Sequence, residues 1–127
     1  MVFAMPRNLS ILMASVLFLG LSSIAARPAE GASARDNYLF YCAQCHGTTG
    51  KGDGPNATPE MPVSPRDLTS PSEMRKLTDE DIMNVIREGG SATSKSTLMP
   101  PFGATLTETE ITALKDYLRK LCECRGR

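Results

Sequence analysis

One long apolar run and three helical stripes organise the hydrophobic positions of this chain. The run comes first: Leu9 to Ala26 is apolar except for Ser10, Ser15, Ser22 and Ser23, and it follows Arg7. A basic start, an apolar middle and the small residues Ala32-Ser33-Ala34 form the pattern of a cleaved export signal. The pattern places cleavage after Ala34, with Ala26 as the second site, and leaves residues 35–127 as one folded domain. An uncleaved helical anchor is the rival, because a run of this length sits at the edge of what spans a bilayer. No cysteine closes the run, so a lipid-modified N-terminus has no acceptor.

The first stripe runs from about Arg35 into Cys45, where Tyr38, Leu39, Tyr41 and Cys42 recur at helical spacing. A second helix is predicted from Thr78, an N-cap with Asp81 three residues on. Ile82, Val85 and Ile86 form its apolar face and Gly89-Gly90 its end. A third opens on the capping box Thr107-Glu108-Thr109-Glu110 and puts Ile111, Leu114, Leu118 and Leu121 on one side. Between them lie punctuated loops: Gly47, Gly50, Gly52, Gly54 and Pro55, then Pro59, Pro62, Pro65 and Pro71. A later polar loop, 91–103, ends in Leu98-Met99-Pro100-Pro101-Phe102-Gly103, whose prolines stiffen the backbone after Met99. No strand-like alternation extends beyond a few residues, so the predicted fold class is all-α with long ordered loops.

Charge and length then remove several classes. Lys plus Arg equals Asp plus Glu at 14 each, which leaves no electrostatic footprint for a nucleic-acid binder or a polybasic membrane-surface protein. A domain as short as 35–127 buries a limited fraction of its surface, so an added stabiliser is expected.

Cys42-Ala43-Gln44-Cys45-His46 supplies one, since C-x-x-C-H is the attachment motif of c-type haem. On a helix the two thiols share a face and can add to the two vinyl groups of one porphyrin, while the imidazole that follows points at the iron. A zinc site would have to take its fourth ligand from Cys122 or Cys124, and a thioredoxin-like pair would need a βαβ context. Methionine is the usual partner of histidine in electron-carrying cytochromes. Met61, Met74, Met83 and Met99 are the choices after the signal. Met99 is preferred, on a proline-braced loop far enough along the chain from His46 to reach the opposite haem face, with Met61 second.

The stretches YLFYCAQCHG, GKGDGP, REGG and LMPPFG, with the closing amphipathic helix, resemble the class I cytochrome c family, nearest to small bacterial monohaem cytochromes and the cytochrome c subunits of haem–copper oxidases. The resemblance covers essentially all of 35–127. It implies the cytochrome c fold, three to four helices around one covalent haem c, with Tyr38 and Tyr117 packing the crossing of the N- and C-terminal helices. It also implies that the Pro55 carbonyl accepts the second N–H of His46 and that Arg66 pairs with a haem propionate. The expected cofactor-binding set is therefore Cys42, Cys45, His46, Met99, Pro55 and Arg66, with His46 and Met99 on the iron. The expected function is single-electron transfer in the periplasm to redox partner proteins at the exposed haem edge, with no catalytic residues, and with membrane contact only through an uncleaved N-terminal helix. Two rivals are a haem enzyme or gas sensor with a labile Met99 bond, and a fixed subunit of a larger oxidoreductase. Cys122-Glu123-Cys124 departs from the family pattern; a local bridge, a link to another chain and a soft-metal contact are all open there.

Overall fold

The computed structural model describes Met1 and residues 31–126. The run read as an export signal and the Ala26 cleavage site fall outside these residues. The chain divides into two units, Met1–Glu30 and Gly31–Arg127, and the helices and the site belong to the second. Among the described residues there is no strand, in agreement with the all-α reading, and no helix is long and apolar enough to cross a membrane.

Helix α1 (Ala34–Asn37) starts on Ser33, whose Oγ accepts the Asp36 N–H at 3.2 Å. It continues through a π-helical stretch, Tyr38–Cys42, into α2 (Ala43–His46). The short α3 (Pro71–Met74) opens with a proline at its first turn, where a missing N–H costs nothing. Helix α4 (Asp79–Ala92) and helix α5 (Glu108–Leu121) both begin with complete capping boxes, Thr78 with Asp81 and Thr107 with Glu110. The predicted end of the second helix is half right: Gly89 does leave helical geometry, yet the chain winds on to Ala92.

The core lies where α5 meets the first and fourth helices. Ile111, Leu114 and Leu118 pack with Tyr38, Met74, Ile82 and Ile86, all buried, while Leu121 is half-buried at the end of the same stripe. The tyrosine pair packs the helix crossing as expected, with Tyr38 and Tyr117 ring centroids 5.2 Å apart. Beside it the buried Asn37 donates to Glu110 at 3.3 Å. Arg119 joins α5 to the α3–α4 link, donating to the carbonyls of Met74 (2.9 Å) and Leu77 (2.8 Å) and to Asp79 (2.8 Å).

Helix α5 ends in a left-handed turn. The Cys124 N–H reaches Arg119 O and the Glu123 N–H reaches Lys120 O, each at 3.2 Å, with Glu123 at φ 49°. This is the Schellman pattern, with glutamate where glycine is usual. A disulfide between Cys122 and Cys124 spans the turn, so of the three options open for these cysteines the structure has the local bridge.

Candidate functional site

The cysteine motif sits on the last turns of the first helical rod, and the π-helical stretch Tyr38–Cys42 governs its placement. In the π-helical stretch the Ala43 N–H bonds to Tyr38 O, five residues back, so one extra residue enters the turn and changes the phase at which Cys42 and its successors leave the rod. The rod then ends at Gly47, whose carbonyl accepts the buried Tyr38 hydroxyl at 2.7 Å. Four helix-end carbonyls need donors there. Gly47 N–H serves Ala43 O (2.9 Å), Asn56 serves Gln44 O (2.8 Å), Gly54 serves Cys45 O (3.1 Å) and Gly52 serves His46 O (2.8 Å). The glycine-rich loop is thus folded back over the backbone of the motif. At Gly54 a Cβ would fall on the carbonyls of Ala43 and Gln44, so no other residue fits this approach.

His46 Nδ1 lies 3.1 Å from the Arg66 carbonyl. A carbonyl only accepts, so Nδ1 carries the proton and Nε2 keeps its lone pair for a metal. Burial lowers the His46 pKa, partly offset by this same bond, which keeps the ring neutral as a ligand must be. Here the resemblance misassigned a residue: the acceptor is Arg66, not Pro55. Pro55 is exposed between Gly54 and Asn56, whose N–H groups serve the helix-end carbonyls, and the chain comes back beside the imidazole eleven residues later, at Arg66. The Cys42 thiol is pushed up to about 12 by burial first and Cys45 second, so it is a neutral thiol at physiological pH.

Cys42, Cys45 and His46 open onto a cavity of about 410 Å³. Met99 is on its wall, and so are Met61 and the fully buried Met74. Tyr38, Tyr41, Ile82, Val85, Ile86, Phe102, Leu114 and Leu118 supply much of a mainly apolar lining, to which the exposed Val63 and Leu98 also belong. Arg66 lines the same cavity, and its guanidinium donates to Glu73 at 3.0 Å, so its side chain is already paired with a carboxylate. Tyr41 and Phe102 join the lining with Met74, which the sequence offers only as one of four candidate ligands. Met74 lay among charged neighbours in sequence, and nothing short of the fold could place it.

The donor set fits a c-type haem. Two thiols three residues apart, a neutral imidazole with Nε2 available and a thioether all belong to one apolar chamber, which is the chemistry that thioether attachment and His/Met ligation require. The competing metal reading fails on ligands, since Cys122 and Cys124 are bonded to each other. Among the described residues no group of three His, Cys, Asp or Glu is placed to hold an ion. The thioredoxin-like reading fails on the absence of strands among those residues.

Known structures agree. A c-type cytochrome, KustC0563, superposes with a TM-score of 0.57 at 27% identity, over 71% of this chain and 98% of that one. A chain of the reducing HAO-like protein complex Kustc0457/Kustc0458 of Kuenenia stuttgartiensis superposes with a TM-score of 0.57 at 31% identity, over 74% of this chain and 44% of its own length. This chain therefore spans less than half of that complex subunit. No curated protein matches. Residues 28–118 match the family model described as cytochrome c oxidase, cbb3-type, subunit III, a span holding the cysteine motif, the cavity wall and most of α5. With attachment motif, chamber and helix crossing in agreement, the chain belongs to this class I cytochrome c family, whose members hold covalent haem c and transfer electrons.

Proposed function

We propose that the chain carries one haem c, bonded through Cys42 and Cys45 and ligated by His46 and Met99, and serves as a single-electron carrier in the periplasm rather than as an enzyme. The observation that carries this is that Cys42, Cys45, His46 and Met99 all line one largely apolar cavity. The composition supports a single haem, with one histidine in the given sequence and the other two cysteines bonded to each other. When bound, haem supplies reversible one-electron chemistry whose potential depends on axial ligand and burial.

The chain's own residues hold the group and tune it. The Arg66 carbonyl orients His46 and raises its basicity. Met61 is five residues before Arg66, whose carbonyl meets His46, so Met99 on the separate 91–103 loop is the better candidate for the second ligand. Apolar walls exclude water, and the exposed Val63 and Leu98 offer a redox partner a small apolar contact at the mouth of the chamber. Arg66 at the wall is available to a propionate, in competition with Glu73. Export agrees with the N-terminal pattern and with the disulfide, a bond that oxidising compartments retain.

The test is a mass and a spectrum of the protein purified from an exporting host. The mass is expected to equal residues 35–127 plus one haem, with processing at Ala26 as the second outcome. Met99→Ala is expected to remove the weak red charge-transfer band of the oxidised form while haem stays attached, and an unchanged band would move the ligand elsewhere. Ready binding of carbon monoxide by the reduced wild-type protein would instead favour the haem enzyme or sensor. A second reading, a subunit of a larger oxidoreductase, draws on the likeness to a chain of the HAO-like complex. A monomer in sedimentation of the purified protein would count against it.

A further inference from the structure

The REGG end of α4 does more than terminate a helix. Gly89 has φ 78° and ψ 173°, a conformation essentially closed to residues with a side chain. A Cβ there would stand 2.9 Å from Met99 O, 2.9 Å from Pro101 N and 3.1 Å from Pro100 C, all backbone atoms that cannot swing aside. Gly90, also buried, donates its N–H to Met99 O at 2.9 Å, and its own carbonyl accepts from Lys95 at 2.7 Å. A Cβ on Gly90 would fall on Ser96 O. The far end of the loop is tied to the same helix, with Phe102 N–H on Ile86 O (2.9 Å) and Gly103 N–H on Arg87 O (3.0 Å).

The Met99 carbonyl is therefore fixed from α4, and the two prolines that follow restrict the backbone on its other side. Most of the polar loop is exposed, yet Met99, half-buried at the chamber, is braced at its own main chain. We propose that Gly89 and Gly90 are positioning residues for Met99, and that their contact with the Met99-Pro100-Pro101 backbone sets how readily the Met99 thioether gives way to an external ligand. This rests on Met99 being the axial ligand. The glycines touch neither haem nor iron; they act through the backbone of residue 99.

The experiment compares imidazole affinity of the oxidised holoprotein in wild type, Met99→Ala, Gly89→Ala and the core control Ile82→Val, with the red band followed in parallel. Met99→Ala is expected to bind imidazole far more tightly, which secures the ligand reading on its own. Gly89→Ala is expected to raise affinity at least tenfold and weaken the band, while Ile82→Val stays within twofold of wild type. Gly89→Ala at wild-type affinity, beside a strongly affected Met99→Ala, overturns the positioning role and leaves the ligand assignment intact. An unaffected Met99→Ala overturns the assignment instead. Should Gly89→Ala fail to assemble, amide exchange in wild type decides. Saturating imidazole is expected to speed exchange of the Gly90 N–H at least tenfold and leave that of Leu114 unchanged. Equal protection of Gly90 with and without imidazole refutes the coupling.

Discussion

Replacing both Cys42 and Cys45 by alanine tests whether the group held in the chamber is also the centre of the fold. Met74, Ile82, Leu114 and Leu118 are at once core residues and cavity wall, so the chamber lies inside the hydrophobic core. Cavity-forming substitutions cost about 24 cal/mol per Å³ of residual void, so 410 Å³ left unfilled would cost up to about 10 kcal/mol. A small domain has only about 5–15 kcal/mol to lose. The expected outcome is that the doubly substituted chain, expressed without haem, does not keep the native arrangement: helical circular dichroism falls well below that of the holoprotein and no cooperative thermal transition remains. Each side of the comparison uses the same assay, so the readout is the transition and not haem absorbance. A haem-free variant that unfolds cooperatively with near-native helix content would refute the reasoning, since it would mean the walls can close over the space at little cost.

Arg119→Met keeps the aliphatic stem and removes the bonds to the Met74 and Leu77 carbonyls; for a side chain only 11% exposed the expected loss is about 3 kcal/mol, read as a lower denaturant midpoint at constant slope, with most of it persisting in an Asp79→Asn background. Asp79 is held below the usual carboxylate range by its hydrogen bond from Arg119 and by the charges of Arg119 and Lys115. A depressed folded pKa gives stability that is complete above the ordinary value near ~4 and is lost as pH falls through the folded one, so Asp79→Asn should flatten the acid limb of stability against pH. Converting Cys122 and Cys124 together to serine removes a very short closed loop and is expected to cost about 1.5 kcal/mol by chain entropy. Adding Glu123→Gly to that variant should return about 1 kcal/mol, because glycine takes the left-handed turn without strain; thermal midpoints of the three proteins check both figures.

The parts of this fold that could be read from sequence are those with local causes. Thr78 with Asp81, and Thr107 with Glu110, carry their capping chemistry within four residues, and both boxes are formed. The stripe Ile111, Leu114, Leu118 needed only helical periodicity. The attachment motif is likewise local. What stayed hidden depends on distant partners. The π-helical insertion at Tyr38–Cys42 has no compositional mark. A four-residue helix such as Pro71–Met74 is too short to show a period. The histidine's carbonyl partner is chosen by how the proline-rich stretch returns to the rod, which is why Pro55 looked suitable and Arg66 holds the position. The continuation of α4 beyond Gly89 depends on the loop that packs against it, since Gly90 finds its acceptor at Met99.

The bridge between Cys122 and Cys124 makes the last turn of the molecule answerable to its surroundings. Under oxidising conditions the sequence closes α5 covalently and keeps Arg119 seated over the α3–α4 link. Given thiols, the identical polypeptide must hold a glutamate in a glycine's conformation by hydrogen bonds alone. The C-terminal turn thereby reports the redox conditions in which the protein folds.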